Sequence, residues 1–125
     1  MVHLSDWMPW SQRGDLPDAV GLYVIAKGAE SNIVYVGRTW SEGGLRGRIR
    51  AFHRSATTGL KGHAGGVTYH ARIGPVVDDL MLRVHLPVSI NPDAKIMRPY
   101  LDYAERHLIW RYVEAHGELP VCNSE

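Results

Sequence analysis

The sequence has little of what secreted or membrane-embedded proteins need. Cysteine occurs once, as Cys122, which excludes an internal disulfide and a zinc site built from several cysteines. No window approaches the roughly 18 to 20 consecutive apolar residues of a membrane span, and residues 1–10 lack a charged region followed by an apolar one. We therefore expect a protein of the reducing cytoplasm with no membrane partner.

Strong net charge is also missing, because 14 Lys and Arg oppose 13 Asp and Glu to give +1. The basic residues are nevertheless clustered, since residues 38–61 contain six of them and one acid, Glu42. The six are Arg38, Arg46, Arg48, Arg50, Arg54 and Lys61. Such a cluster on a near-neutral protein is typical of a surface that meets phosphate. It would equally suit a solvated helix surface, and charge alone leaves both interpretations open.

Strand-forming residues are concentrated in three short runs. Residues 20–26 and 32–37 are β-branched and aromatic, and the turn-forming residues between them predict a β-hairpin. Residues 80–86 read Leu-Met-Leu-Arg-Val-His-Leu, so that Leu or Val occupies every second position. This alternation, which ends at Pro87, predicts a third strand. We expect an α/β fold in which a three-stranded, mainly antiparallel sheet is flanked by helices, with residues 20–125 as one domain and residues 1–19 as an N-terminal arm packed on it.

Two segments have helical periodicity. After two glycines, Leu45, Ile49 and Phe52 fall on one face of a first helix. The longest helical pattern covers residues 100–116, after a turn bracketed by Pro92, Asp93 and Pro99. Residues 57–66 are rich in glycine and predict a loop, and residues 67–73 form an element of uncertain type.

A carboxylate interrupts the apolar side of the second predicted helix. At about 100° per residue, Glu105 lies within the stripe formed by Leu101, Leu108 and Tyr112. Burying an unpaired carboxylate costs several kcal/mol, so Glu105 must have a cation, several hydrogen-bond donors or a raised pKa. A structural salt bridge and a metal-binding or catalytic acid both satisfy this requirement.

The first predicted helix has an arginine in a corresponding position. Arg48 lies near Leu45 and Phe52, at the edge of the apolar stripe, whereas Arg46, Arg50 and Arg54 lie on the polar side. A guanidinium held near the sheet can pair with Glu105, or with a phosphate that both residues frame, because its planar fork binds either group through two hydrogen bonds.

Several short motifs follow one another along the chain. Residues 21–23 read Gly-Leu-Tyr and residues 35–37 read Tyr-Val-Gly, on the two strands of the hairpin. Downstream of them come Arg38-Thr39, the Leu-x-x-Arg-aliphatic pattern of residues 45–49, Glu105 with Leu108 and Ile109, and Pro120 to Asn123. In this order, and over nearly the whole chain, these motifs resemble those of the GIY-YIG nuclease superfamily.

The resemblance implies a role for each matching residue. Tyr23 would be the general base or its hydrogen-bonding relay, and Tyr35 would share the attacking water or orient the phosphate. Arg48 would stabilise charge on the scissile phosphate, Glu105 would hold one divalent cation, Mg²⁺ or Mn²⁺, and Asn123 would support Glu105. Because a free tyrosine has a pKa of about 10, Tyr23 would need positive charge nearby.

One position departs from the pattern. Many family members have Tyr or His one helical turn after the catalytic arginine, where this chain has Phe52, so the neighbouring His53 becomes the candidate for that role. The seven histidines show no repeated metal-ligand spacing, and we expect no zinc site. Lys61 and His63, in the glycine-rich loop, either approach the DNA backbone or belong to a mobile connector.

The function that the resemblance implies is metal-dependent endonucleolytic cleavage of DNA. The residues expected to contact nucleic acid are Arg38, Arg46, Arg50, Arg54 and Lys61. Specificity would come from DNA structure, a homodimer or a partner protein. A non-cleaving nucleic-acid-binding module on the same scaffold is the alternative, and an interaction protein with a buried pair of Glu105 and Arg48 is another.

Overall fold

The fold is built on an antiparallel sheet with helices on both faces. A computed structural model describes residues 2–40, 42–87 and 93–125. The elements are β1 (Met8–Pro9), a 3-10 helix (Trp10–Asp15), β2 (Gly21–Lys27), β3 (Ile33–Thr39), α1 (Gly44–Thr58), α2 (Ala64–Arg72), β4 (Leu80–His85) and α3 (Ala94–His116). No described helix combines the length and apolarity needed to cross a membrane.

Within the described residues the sheet has four strands in the order β1-β4-β2-β3, all antiparallel to their neighbours. The α/β class is confirmed, but the prediction of three strands is wrong. The fourth strand comes from the segment assigned to the N-terminal arm, where Met8 pairs with Leu82 and Pro9 with Met81. A two-residue strand is too short to produce a recognisable alternation, and Pro9 is tolerated there because β1 is an edge strand.

β2 lies in the middle of the sheet and is buried on both faces. Tyr23 and Ile25 belong to the larger core cluster with residues of α1 and α2. Leu22 and Val24 belong to the clusters that include residues of α3. This explains why the sequence of β2 reads as a continuous apolar run, since both faces of the strand are covered.

Glycine lets α1 and α2 approach closely. A Cβ added at Gly66 would lie 2.7 Å from the Phe52 carbonyl oxygen and 2.7 Å from the Ser55 Cβ. The predicted loop over residues 57–66 is therefore too long, because α1 ends before Gly59 (φ 77°) and α2 already begins at Ala64. Glycines 65 and 66 serve helix packing, whereas in the sequence they suggest a loop.

α3 begins earlier than predicted. Asp93 caps it by accepting a hydrogen bond from the Lys95 N–H at 2.9 Å, and Pro99 lies inside the helix. The predicted turn is therefore wrong at Pro99, while Pro92 lies outside the described residues. Burial of Met97 and Leu101 on either side of the proline offsets the backbone hydrogen bond that a proline cannot donate.

Replacing Gly66 should test this helix crossing. We expect Gly66→Ala to lower the free energy of unfolding by about 1–3 kcal/mol, because the added methyl group meets backbone atoms that cannot move independently. Gly47→Ala in α1 is the matched control, since a Cβ there meets nothing within 4 Å. It should raise stability by up to about 1 kcal/mol through helix propensity. Urea unfolding of both variants measures the difference, and equal effects would contradict the close crossing.

Candidate active site at the edge of the sheet

Four of the predicted site residues line one cleft. The cleft encloses about 320 Å³ and lies where β3, α1 and α3 meet. It is lined by Tyr35, Arg38, Thr39, Trp40, Arg48 and Glu105. Because β3 is an edge strand, residues from the two faces of the sheet can reach the same opening around that edge. The cleft thus combines a phenol, two guanidinium groups and a carboxylate.

Glu105 is buried, as its place in the apolar stripe predicts, with 8% of its surface exposed. Its Oε1 accepts a hydrogen bond from Arg38 Nη1 at 2.6 Å, and Arg38 Nε lies 2.7 Å from Asp102 Oδ1. Burial alone lowers the pKa of Arg38, but the hydrogen bond and charge of Glu105, with Asp102, raise it overall. The cation beside Glu105 is therefore Arg38, and the pairing with Arg48, one of the two possibilities that the sequence left open, is not formed.

The Arg38 guanidinium is also held by an aromatic ring. Its central carbon lies 4.8 Å from the Trp40 ring centroid, and that of Arg98 lies 5.0 Å from the same ring. Both distances are within the range of cation–π attraction. Arg48 lies across the cleft and donates from Nη1 to the Gly62 carbonyl at 3.2 Å. Arg38 and Arg48 thus approach the cleft from different elements, β3 and α1.

Behind the cleft, Tyr23 is paired with His63, which is buried and not, as the sequence suggested, a loop residue near DNA or in a mobile connector. The Tyr23 hydroxyl oxygen lies 2.7 Å from His63 Nε2. His63 Nδ1 accepts from the Gly66 N–H at 3.2 Å as the N-cap of α2, so the proton of the neutral ring is on Nε2 and is donated to Tyr23. Burial first, and then the charge of Arg48, lower the pKa of His63 to about 3, which keeps the ring neutral.

His63 fills the space next to Phe52, the position at which the resemblance would have a Tyr or His. Its ring centroid is 5.1 Å from that of Phe52 and 5.2 Å from that of Tyr35. No spacing signals this contact, since 40 positions separate His63 from Tyr23 and the ring reaches the site only through the capping geometry of α2. The signal that could have prompted a search is the apolar Phe52 itself, whose side chain cannot hydrogen-bond to Tyr23.

The two tyrosines differ in access to the cleft. Tyr23 is fully buried, and burial together with the nearby Tyr35 raises its pKa well above the usual value, although Arg48 opposes the shift. Tyr35 lines the cleft, and burial followed by the charge of Glu105 raises its pKa as well, with Arg48 again opposing. Positive charge is therefore present near Tyr23, as expected, but desolvation outweighs it.

Backbone features bring the two rings together. In the β2–β3 register Ile25 pairs with Tyr35 and Ala26 with Ile33, so Val34 forms a bulge and Tyr35 follows it. A Cβ on Gly37 would lie 2.6 Å from both tyrosine side chains, and a Cβ on Gly65 would lie 2.5 Å from Tyr35. The glycine of the Tyr-Val-Gly tripeptide is thus required for ring packing.

Asn123 supports the strand that carries the cleft. Its Oδ1 accepts from the Val36 N–H and its Nδ2 donates to the Val36 carbonyl, both at 2.9 Å. The side chain therefore completes the outer edge of β3. Asn123 also lines a second cleft of about 220 Å³, which shares Tyr35, Arg38 and Glu105 with the first.

The remaining predicted residues lie elsewhere. His53 accepts a hydrogen bond from Trp10 Nε1 at 3.0 Å and lines a separate pocket with Arg46 and Arg50. Arg54 and Lys61 are exposed and are not among the residues lining the main cleft. The prediction that His53 replaces the side chain missing at Phe52 is therefore not supported by its position, because the ring lies on the opposite flank of α1 from Arg48.

The cleft could hold a hard cation only through a single carboxylate. Within residues 2–40, 42–87 and 93–125, no group of three His, Cys, Asp or Glu side chains has the arrangement of a metal site. Mg²⁺ nonetheless keeps several waters and often takes one or two carboxylates plus substrate phosphate as ligands. Glu105, lining an open polar cleft, is compatible with such a site once it releases Arg38.

Three comparisons with known proteins returned nothing for this chain: no family model, no curated protein and no solved structure matched it.

The low pKa of His63 predicts a pH-dependent stability. Above pH of about 6.5 the imidazole is neutral in both folded and unfolded chains. As the pH falls from there toward 3, the unfolded chain binds a proton that the folded chain excludes, so the free energy of unfolding falls by up to about 1.4 kcal/mol per pH unit from this residue. Urea unfolding between pH 7 and pH 4 of wild type and His63→Gln should give a shallower slope for the variant, and parallel slopes would contradict the assignment.

Proposed function

We propose that this chain is a divalent-metal-dependent endonuclease that hydrolyses DNA phosphodiester bonds, as its resemblance to the GIY-YIG superfamily implies. The observation that supports the proposal most strongly is the shared cleft of Tyr35, Arg38, Arg48 and Glu105. Hydrolysis of a phosphodiester needs an oriented water, neutralisation of charge on the phosphate and stabilisation of the leaving oxygen. The cleft offers a side chain suited to each need.

The two arginines would bind the substrate phosphate. Arg48 is held at the cleft by its hydrogen bond to Gly62, and its planar group can donate two parallel hydrogen bonds to phosphate oxygens. Fixed donors of this kind stabilise negative charge that develops in the transition state more than charge already present in the substrate. Arg48 is therefore the main transition-state cation of the proposed site.

Glu105 and Arg38 would change partners when DNA binds. Their 2.6 Å pair satisfies both charges in the free protein. An incoming phosphate offers Arg38 a new anion, which frees Glu105 to hold Mg²⁺ or Mn²⁺. A bound cation of this kind supplies positive charge at the phosphate and leaving oxygen and lowers the pKa of water. Substrate and cation would thus favour each other's binding.

The tyrosines would handle the attacking water. Tyr35, which lines the cleft, is in a position to hydrogen-bond a water beside the phosphate. Tyr23 lies one layer deeper and receives the His63 N–H, which stabilises negative charge on the Tyr23 oxygen. Tyr23 therefore acts as a relay behind Tyr35, and His63 positions Tyr23 and stabilises its charge without touching the substrate.

Cleavage of linear, nicked, flapped and branched DNA in Mg²⁺ or Mn²⁺ tests the proposal. We expect wild type to cut at least one of these substrates. Glu105→Gln and Tyr35→Phe should each be slower by about 100-fold or more, because each removes a group used in the transition state. Glu114→Gln is the matched control, since Glu114 is an exposed residue of the same helix, and it should cut at the wild-type rate.

Two outcomes would overturn the proposal. A wild-type chain that binds DNA but cuts no substrate would be a non-cleaving nucleic-acid-binding module on this scaffold. Undiminished cutting by Glu105→Gln would remove the carboxylate from the mechanism and with it the proposed cation site. Sedimentation of the free and DNA-bound chain would then show whether a homodimer forms on the substrate.

A further inference from the structure

A second basic pocket lies on the other flank of α1. It encloses about 320 Å³ and is formed where the 3-10 helix meets α1. Its lining residues are Ser11, Arg13, Gly14, Arg46, Arg50 and His53, and we call it the Arg13 pocket. Three guanidinium groups and an imidazole thus share one concave surface, although they come from two separate segments of the chain.

His53 meets hydrogen-bond donors on both sides of its ring. Trp10 Nε1–H donates to His53 Nδ1 at 3.0 Å, so the proton of a neutral ring must be on Nε2. Arg13 Nη2, which can only donate, lies 3.4 Å from that Nε2. Two N–H groups therefore face each other without a shared acceptor, an arrangement that an anionic oxygen lying beside the pair, within hydrogen-bond distance of both nitrogens, would satisfy.

Protein carboxylates compensate this charge only weakly. Among the described residues, the ion pair that reaches the pocket joins Arg46 Nη2 to Asp18 Oδ2, at 3.9 Å between two exposed side chains. Arg13 is nevertheless held in place, because its Nη1 donates to the Trp10 carbonyl at 3.0 Å and its guanidinium carbon lies 5.6 Å from the Trp10 ring centroid. The pocket is thus positively charged and ordered before any anion binds.

The position of the pocket relates it to the cleft. At about 100° per residue, Arg48 projects about 60° to one side of Leu45, whereas Arg46 and His53 project about 80–100° to the other. Gly47 lies between the two flanks on the outer surface, where no atom comes within 4 Å of its added Cβ. A helix with its side chains is about 10–12 Å across, a distance covered by three or four nucleotides at about 3.4 Å of rise each.

We propose that the Arg13 pocket binds a backbone phosphate of the DNA strand whose scissile phosphate lies in the cleft. The strand crosses the outer surface of α1 at Gly47 and is held on both flanks. The choice of DNA as the source of the phosphate rests on the proposed function. The anion site itself is inferred from Arg13 and His53, whose facing N–H groups share no acceptor. His53 thereby has a substrate-anchoring role at a distance from the cleft.

Binding without cleavage tests the pocket separately from the nuclease activity. Fluorescence anisotropy of a labelled DNA duplex in EDTA, at several salt concentrations, compares wild type with Arg13→Gln and Arg50→Gln. We expect each variant to bind several-fold more weakly and the salt slope to fall by about one per lost phosphate contact. Arg111→Gln, an exposed arginine of α3, is the matched control and should keep the wild-type slope.

NMR of the His53 ring identifies the ligand. DNA should shift the His53 signals in wild type and not in Arg13→Gln, and should raise the His53 pKa, which burial and then Arg13 hold below the usual value. A shift with inorganic phosphate but none with DNA would overturn the backbone assignment. Arg13→Gln and Arg50→Gln variants that both keep the wild-type DNA affinity and salt slope would overturn it too. DNA binding that depends on Arg13 and Arg50, in a chain that never cleaves, would uphold the phosphate site of the Arg13 pocket while the nuclease proposal fails.

Discussion

The buried carboxylate of Glu105 is the constraint on which the site depends. A charge that is 8% exposed requires a close cation, and Arg38 supplies it at 2.6 Å from the edge strand. This pair joins α3 to β3 and fixes one wall of the cleft. Because desolvation of both charges offsets much of their attraction, such a pair stabilises a fold less than well-packed apolar residues would.

The strand hairpin and the helix faces could be predicted from the sequence because they depend on local patterns. Runs of β-branched and aromatic residues mark β2 and β3, and the spacing of Leu45, Ile49 and Phe52 marks the buried face of α1. The same periodicity correctly indicated that Glu105 faces the core. Local composition and helical periodicity therefore sufficed for the hairpin, for the buried face of α1 and for the burial of Glu105.

The rest depends on contacts between distant residues. The partner of Glu105 could not be chosen from the sequence, since Arg38 and Arg48 both lie near the sheet and only the edge position of β3 favours Arg38. His63 reaches Tyr23 because α2 begins at Ala64. The sequence did not predict this start, because Gly65 and Gly66 suggest a loop although they serve close packing of the helix. β1 consists of Met8 and Pro9 alone, and two residues are too few to show the alternation by which a strand is recognised in a sequence.

Binding of Mn²⁺ to the chain, followed by electron paramagnetic resonance, tests the central claim most directly. If Glu105 exchanges Arg38 for a cation when phosphate enters the cleft, a non-hydrolysable DNA should increase the affinity of wild type for Mn²⁺. Glu105→Gln should abolish that increase while still binding the DNA. Equal Mn²⁺ affinity with and without DNA, or an unchanged response in Glu105→Gln, would contradict the account.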